Sequence, residues 1–145
     1  MNDVVPANEE LIARLRGWND DYILRLEERV KLTGEIFTPT KLVREILDKL
    51  PSDCFDDVDK TFLDPSCGNG QFLSEVLILK LNRGYSFERS LRSIYGVDIM
   101  LDNVEVCRNR LLCGVEKFRY IVENNIICAD ALTFDFDSWQ PAGIE

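Results

Sequence analysis

The first thirty residues carry the hydrophobic pattern of an amphipathic helix. Between residues 8 and 32, apolar side chains recur at steps of three and four residues, the period of a helix with one buried face. Gly17 and the pair Asn19-Asp20 could divide this stretch into two helices. The apolar positions are Leu11, Ile12, Leu15, Trp18, Tyr22, Ile23, Leu26 and Val30.

A second helix is predicted between Pro39 and Pro51. Proline is favourable in a first helical turn, Thr38 can serve as the N-cap, and Pro51 stops the helix. An acidic, polar connection follows at residues 52–60. The helix would bury one apolar face, made of Leu42, Val43, Ile46, Leu47 and Leu50.

Beyond residue 60 the pattern changes to short strands that alternate with helices. Strands are predicted at residues 61–63, 94–97 and 126–128, and helices at 72–81, 87–93 and 104–112. This alternation implies right-handed crossovers and a parallel sheet, and therefore the α/β class. The tail from residue 133 is predicted to be a loop. A helical segment at 1–52 and an α/β part at 53–145 are expected to pack as a single domain, because no repeat or flexible linker divides the chain.

Composition excludes several classes of function. The 145 residues include no histidine, which rules out Ser-His-Asp and Cys-His catalysis within this chain. The five cysteines lack C-x-x-C spacing, so we expect free thiols, mostly buried, and no metal site. No apolar stretch approaches the ~20 residues of a membrane helix, and the N-terminus does not resemble a secretory signal. A cytoplasmic protein is the expectation.

The net charge of −9 argues against a direct grip on a nucleic acid backbone. Contact with DNA is expected only indirectly or through a partner, and contact with a membrane is not expected. The modest cluster of bases is interpreted as a solvated face rather than a DNA contact. It consists of Lys80, Arg83, Arg89 and Arg92.

Each of the three predicted strands is followed by an aspartate, namely Asp64, Asp98 and Asp130. The carboxyl ends of parallel strands line the ligand crevice of an open sheet, so the three carboxylates are expected to meet along one edge. Asp98 is placed to accept bonds from ribose hydroxyls, and Asp130 from the exocyclic amine of a purine. Each aspartate could instead be a helix cap or a turn residue.

The turn after the first predicted strand, D-P-S-C-G-N-G-Q-F, is the sharpest feature of the sequence. Gly68 and Gly70 allow backbone to approach a ligand, and the helix beyond them offers free N–H groups. The turn lacks the G-K-[ST] ending of a phosphate loop, so an adenosine-containing ligand with little phosphate is expected. A tight strand-to-helix connection is the alternative. Cys67 is interpreted as a packing residue rather than a nucleophile.

The same turn resembles the first motif of S-adenosylmethionine-dependent DNA methyltransferases that modify the exocyclic amine of adenine. Upstream, G-E-I-F-T-P-T-K-L-V resembles the family's cofactor-proximal motif, and Y-G-V-D-I and C-A-D-A-L resemble its second and third motifs. Their order and spacing agree over residues 30–140. The resemblance implies a truncated, Rossmann-like methyltransferase sheet after an N-terminal helical segment, from a bacterial or phage-encoded restriction–modification protein.

The resemblance also implies which residues bind the cofactor, S-adenosyl-L-methionine. The amino acid end would be held by the first-motif turn, within which the implied binding residues are Asp64, Pro65, Ser66, Gly68, Gly70 and Phe72. The cofactor-proximal motif would pack beside it through Phe37, Thr38 and Pro39.

The adenosine end would be held by the second and third motifs. Asp98 would bind the ribose hydroxyls, and Ile99 would stack on adenine. Asp130 would accept a bond from the adenine amine, with Ala131 and Leu132 alongside.

The sequence departs from the family in lacking its catalytic motif, N/D-P-P-Y/F, which polarises the target amine and stacks the flipped base. We therefore assign no catalytic residue and expect no methyl transfer by this chain alone. The family's strand order places a fourth strand beside the first. Without it the first strand would have an open edge, so self-association or a second chain that supplies a strand is expected.

Three functional hypotheses remain open. The chain could be the cofactor-binding part of an adenine-N6 DNA methyltransferase that needs a second chain for catalysis. It could be a non-catalytic remnant or decoy that binds the cofactor or a methyltransferase partner and modulates restriction–modification. It could also break the cofactor down.

Overall fold

A small parallel sheet and the helices that connect its strands lie within residues 62–128. The computed structural model describes residues 4–18 and 40–139. Helix α1 occupies residues 8–18. The other helices are α2 (Thr40–Asp48), α3 (Gln71–Asn82), α4 (Phe87–Arg92), α5 (Leu101–Leu112) and α6 (Arg119–Asn125). The strands are β1 (Phe62–Asp64), β2 (Ile94–Asp98) and β3 (Ile126–Cys128), and 3₁₀ turns lie at Ser52–Phe55, Glu116–Phe118 and Phe136–Ser138.

The sheet confirms the α/β class. Its three strands are parallel in the order β1-β2-β3, with Leu63 beside Tyr95 and Gly96 beside Ile126. Parallel neighbours need crossover connections, which the pairs α3–α4 and α5–α6 provide. Strand β1 therefore lies at one edge of the sheet formed by the described residues.

One hydrophobic core joins the helices to the sheet. Helix α3 is apolar on most of its surface because it lies between the sheet and α2, and α5 covers the neighbouring strands. Leu11 and Leu15 of α1 are fully buried in this same core, together with Val43 and Leu47 of α2. The part of the predicted first helix beyond residue 18 lies outside the described residues.

The predicted apolar face of α2 is correct for two of its five residues. Val43 and Leu47 are buried, whereas Leu42, Ile46 and Leu50 are 45%, 40% and 36% exposed. The apolar stripe is wider than the contact, because α2 packs mainly on α3. Three large apolar side chains therefore remain on the surface around the described core.

Helix α6 and the 3₁₀ turns were not predicted from the sequence. Helix α6 follows an apolar pattern at Phe118, Ile121 and Val122, all buried, whose helical spacing was a usable signal. The tail, predicted to be a loop, contains a 3₁₀ turn and packs on the sheet. The Trp139 ring meets Tyr95 edge-on at 5.2 Å, and its Nε1 donates to the Asn124 carbonyl at 2.8 Å.

Members of the basic cluster form ion pairs and hydrogen bonds within the fold. Arg83 and Arg89 pair with Asp56 and Asp59 at 3.1 and 2.7 Å, which holds residues 52–60 against α3 and α4. The prediction of a solvated face is wrong for Lys80, which is fully buried.

The buried Lys80 ammonium has three polar partners and one aromatic partner. It donates to the carbonyls of Val58 and Lys60 at 2.9 and 2.8 Å and to Ser93 Oγ at 2.6 Å, and it lies 5.1 Å from the centre of the Phe62 ring. One side chain thereby ties the segment before β1 to the segment before β2.

The cysteines are free, as expected. Cys67, Cys107 and Cys113 are buried, Cys54 is partly buried and Cys128 is exposed. Within residues 4–18 and 40–139, no group of potential ligands could hold a metal ion. No described helix is long and apolar enough to cross a membrane.

We predict that Lys80 makes stability depend on pH above 8. Burial lowers the pKa of Lys80 from its ordinary 10.5 to about 8, although Asp59 and Asp57 oppose the shift. Between these values the unfolded chain holds a proton that the folded chain has lost, so stability rises with pH by up to about 1 kcal/mol per unit.

Urea unfolding of the wild type and of Lys80→Met from pH 7 to 10 isolates this contribution from those of the thiols and tyrosines. The free energy of unfolding of the wild type minus that of the variant should increase between pH 8 and 10. A difference that stays flat across this range would contradict the prediction.

Candidate functional site

A cavity of about 630 Å³ opens at the carboxyl ends of β1 and β2. Its volume is in the range of small-molecule sites. Polar groups at the strand ends form one part of the wall, namely Asp64, Ser66, Asn69, Asp98 and Asn103. Apolar groups from α2, β1 and α3 form another part, including Ile46, Leu50, Leu63, Phe72 and Val76.

The turn between β1 and α3 is held against the end of β2. Cys67 donates its backbone N–H to the Val97 carbonyl at 2.9 Å, and Gly68 donates to Asp98 Oδ2 at 3.0 Å. Both glycines of the turn have positive φ, 55° at Gly68 and 98° at Gly70. This backbone conformation is one that other residues adopt only with strain.

Asp98 organises the base of the cavity. While Oδ2 accepts from Gly68, Oδ1 accepts from the Met100 backbone N–H at 2.9 Å and from Asn103 Nδ2 at 3.3 Å. The carboxylate therefore has a set orientation before any ligand arrives. An ionised carboxyl offers about four acceptor sites, so capacity for a ligand donor remains.

All three strand-end aspartates also form local turns. Asp64 Oδ1 accepts from the Ser66 N–H and Asp130 Oδ1 from the Leu132 N–H, each at 3.0 Å, and Asp98 bonds Met100 in the same way. The turn role raised as an alternative is therefore present at each position. It does not exclude ligand binding, because each carboxylate keeps further acceptor sites.

Asp64 and Asp98 share one electrostatic environment. Burial raises the pKa of Asp64, the repulsion of Asp98 adds to this, and the bond from the Ser66 N–H opposes it. Two acids that both contact the cavity favour ligands that bring positive charge or hydroxyl donors.

The cavity brings together about half of the sequence-predicted cofactor residues that the structure describes. Those that line it are Asp64, Ser66, Gly68, Phe72, Asp98 and Ile99, whereas Pro65, Gly70, Asp130, Ala131 and Leu132 do not. Phe37, Thr38 and Pro39 lie outside the described residues. The binding roles of all these residues stay predictions.

Asp130 does not line the cavity, and β3 ends at Cys128, two residues earlier. Asp130 is exposed, and Leu132 is 95% exposed. The chain still passes close to Asp98, whose backbone carbonyl accepts from the Ala129 N–H at 3.0 Å. Asp64 and Asp98 both line the cavity, whereas the placement of the Asp130 carboxylate beside them stays a prediction.

Several lining residues were missed by sequence reasoning. Asn103 lies in the first turn of α5, five residues after Asp98, and this short spacing was a usable signal. Asn69 lies inside the glycine-bearing turn, and its Oδ1 is buried without a hydrogen-bond partner among the described residues. Leu47 and Leu50 gave no signal because they looked like ordinary core positions.

Cys67 packs in the cavity wall, as expected. A hydrogen bond with the Cys107 thiol and burial both raise the pKa of Cys67, so the protonated thiol predominates. A thiol in this state is a poor nucleophile. Both cysteines also lie against glycines, since a Cβ at Gly70 would come within 2.9 Å of Cys107 Sγ, and one at Gly96 within 2.9 Å of Cys67 Cβ.

Comparison with known proteins gives two matches. The N-6 DNA Methylase family matches residues 21–141. Type II methyltransferase M.VspI of Vibrio sp. (strain 343) is 33% identical over 139 residues, which covers 94% of this chain and 29% of that relative. The chain therefore spans less than a third of this relative's length. No solved structure matches the chain significantly.

We predict that Gly70→Ala destabilises the protein more than Gly84→Ala. Both glycines have positive φ, 98° and 84°, but a Cβ at Gly84 has open space whereas one at Gly70 meets Cys107 Sγ. The backbone cost should be about 1–2 kcal/mol in each variant, with roughly 1–3 kcal/mol more at Gly70 from overpacking.

Denaturant unfolding measures both variants, and Cys107→Ala in the Gly70→Ala background tests the cause. This double variant should recover part of the extra loss, because the sulfur that collides is gone. Equal losses for the two glycine variants would refute the packing argument.

Proposed function

Because this chain belongs to the N-6 DNA methylase family, we propose that it is the S-adenosylmethionine-binding part of an adenine-N6 DNA methyltransferase of the restriction–modification type. The observation that carries this proposal is the cavity at the ends of β1 and β2. Asp98 forms its base and holds the glycine-bearing turn beside it. Ligands of open α/β sheets bind at this place.

The residues present fit this cofactor. A sulfonium cofactor with an ammonium group suits a wall that contains Asp64 and Asp98, and a ribose hydroxyl suits the remaining acceptor site of Asp98. Gly68 leaves room for close backbone approach. Helix α3 begins after Gly70 without a side-chain cap, so its first N–H groups can receive the carboxylate of the amino acid end.

The adenine ring would lie on the apolar rim of the cavity, which Ile99 and Met100 form. Ile99 and Met100 line the cavity and are 67% and 40% exposed, so a flat ring can bury them. In this proposal Asp130, Ala131 and Leu132 would lie alongside the adenine ring. Phe37, Thr38 and Pro39 would pack beside the amino acid end of the cofactor. When bound, the cofactor supplies the methyl group as an electrophile on its sulfonium.

Methyl transfer itself would require residues from another polypeptide segment. The chain spans 29% of the length of M.VspI, and its sequence holds no N-P-P-Y or related motif. We therefore propose that this chain binds the cofactor and that the target base and DNA are held by the segment that completes the enzyme.

Strand β1 is the proposed attachment point for that segment. Among the described residues it pairs only with β2, and the Leu63 side chain is 49% exposed. Ile46 on α2 and Leu50 just after it line the same cavity, so an apolar surface continues from the strand edge to the helix. The proposed occupant is a parallel strand whose own apolar side chains cover this surface.

A decoy is the second candidate function, and the same exposed edge favours it. A chain that docks on the completing segment of an active methyltransferase through β1 would compete with that enzyme's own cofactor part. Loss of methylation when this chain is added to an active relative would indicate a decoy. Release of methylthioadenosine from S-adenosylmethionine would instead indicate the third hypothesis, cofactor breakdown.

Calorimetric titration with S-adenosylmethionine tests the cofactor proposal. The wild type should bind saturably, and Asp98→Ala should weaken binding at least roughly tenfold because it removes a charged acceptor. Asp98→Asn, which keeps one acceptor oxygen, should fall between them.

Asp57→Ala is the matched control. Asp57 Oδ1 forms the same local bond to the N–H two residues later, at 2.9 Å to Asp59, but it lies outside the cavity. The affinity of the Asp57→Ala variant for S-adenosylmethionine should equal that of the wild type. A folded wild type that does not bind the cofactor would overturn the proposal.

Co-expression with the part of M.VspI that this chain does not match tests the β1 edge. The two polypeptides should elute together, and Leu63→Lys should separate them because it places a charge in the apolar contact. Leu101→Lys is the control, since Leu101 is 55% exposed and does not line the cavity. Equal elution of the two variants would contradict docking at β1.

A further inference from the structure

A buried polar bridge connects α5, α3 and α2 beneath the cavity. Arg110 on α5 is fully buried, and Gln71 at the start of α3 is 4% exposed. Arg110 Nη2 donates to Gln71 Oε1 at 3.0 Å, and Gln71 Nε2 donates to Thr40 Oγ1, at the first residue of α2. The three side chains form one continuous line of hydrogen bonds.

The bridge also contacts the backbone of the glycine-bearing turn. Arg110 Nη1 donates to the Asn69 carbonyl at 3.4 Å, and Asn69 lies between the two turn glycines. Gln71 is the first residue of α3 and directly follows Gly70. Arg110 therefore contacts the turn at two points, one on each side of Gly70.

Packing alone does not account for a guanidinium at this position. A buried charge is expensive to desolvate, and an apolar side chain of similar volume is often as stabilising. Helices α2 and α3 are already joined by the buried Val43 and Leu47 and by the pair of Arg44 with Glu75 at 3.2 Å. The bridge fixes the orientation of the groups it joins, because a planar guanidinium donates hydrogen bonds to its acceptors only in a set geometry.

We propose that Arg110 is a positioning residue for cofactor binding. It holds the glycine-bearing turn and, through Gln71, sets the position of Thr40 relative to that turn. Thr40 is the first residue of α2, which lines the cavity through Ile46 and Leu47. The bridge therefore links the turn to a helix that lines the proposed cofactor site, and this role of Arg110 rests on the proposed function.

The test compares cofactor affinity with stability in single variants. Arg110→Met and Gln71→Met remove the bridge and should each weaken S-adenosylmethionine binding roughly tenfold in calorimetry. Arg110→Lys should not rescue binding, since an ammonium lacks the fork geometry.

Arg108→Met is the matched control on the same helix. Arg108 Nε donates to the Ile126 carbonyl at 2.8 Å and Nη2 to the Glu123 carbonyl at 3.2 Å, remote from the turn. It should lower the melting temperature without changing cofactor affinity. If Arg110→Met does not fold, Gln71→Met and Thr40→Val carry the test, with Thr40→Val adding no loss of affinity in the Gln71→Met background.

The outcomes separate this inference from the function on which it rests. A wild type that does not bind the cofactor overturns the proposed function. A wild type that binds, together with Arg110→Met and Gln71→Met variants of unchanged affinity, overturns the positioning role alone. A loss of affinity in Arg108→Met equal to that in Arg110→Met also overturns it, because the effect would then follow general destabilisation.

Discussion

The bond from the Gly68 N–H to Asp98 Oδ2 is the contact on which the candidate site depends. It joins the turn after the first strand to the end of the second, so neither can move without the other. The two glycines make this possible, because their positive φ values let the turn fold back over the strand ends. Asp98 is oriented at the same time by Met100 and Asn103, which leaves a carboxylate already aimed at the cavity. Preorganisation of this kind lowers the cost of ordering when a ligand binds.

The distribution of polar and apolar groups departs from the usual arrangement in two places. Lys80 and Arg110 are buried inside, and each holds backbone segments that carry few apolar residues of their own. Leu63, Ile46 and Leu50 are exposed outside, along the free edge of the sheet and the neighbouring helix. Burial of a cation costs desolvation energy. We therefore interpret Lys80 and Arg110 as residues that fix the geometry of the segments they bond. Contiguous exposed apolar groups favour docking of another polypeptide, and this is the surface on which we propose that the completing segment docks.

Family membership and the partial length together define what the chain can do. A cofactor cavity needs the ends of the first two strands, and both are present. Chemistry on a DNA base needs further elements, and the chain spans 29% of the relative's length. The acidic net charge is consistent with a part that does not itself grip DNA. The proposed cofactor binding can therefore be tested on the isolated chain, without methyl transfer as the readout.

The sequence by itself determined the α/β class, the three strands and the glycine-bearing turn, because these follow from local periodicity and from glycines that the turn requires. It also identified Asp64 and Asp98, since residues at parallel strand ends must meet. Only the tertiary structure showed that Asp64 and Asp98 line one cavity and that Asp130 does not. It alone showed that Lys80 and Arg110 are buried and that three of the five residues of the predicted apolar face of α2 are exposed. Those outcomes depend on which elements pack together over long sequence separations, and no local pattern records that.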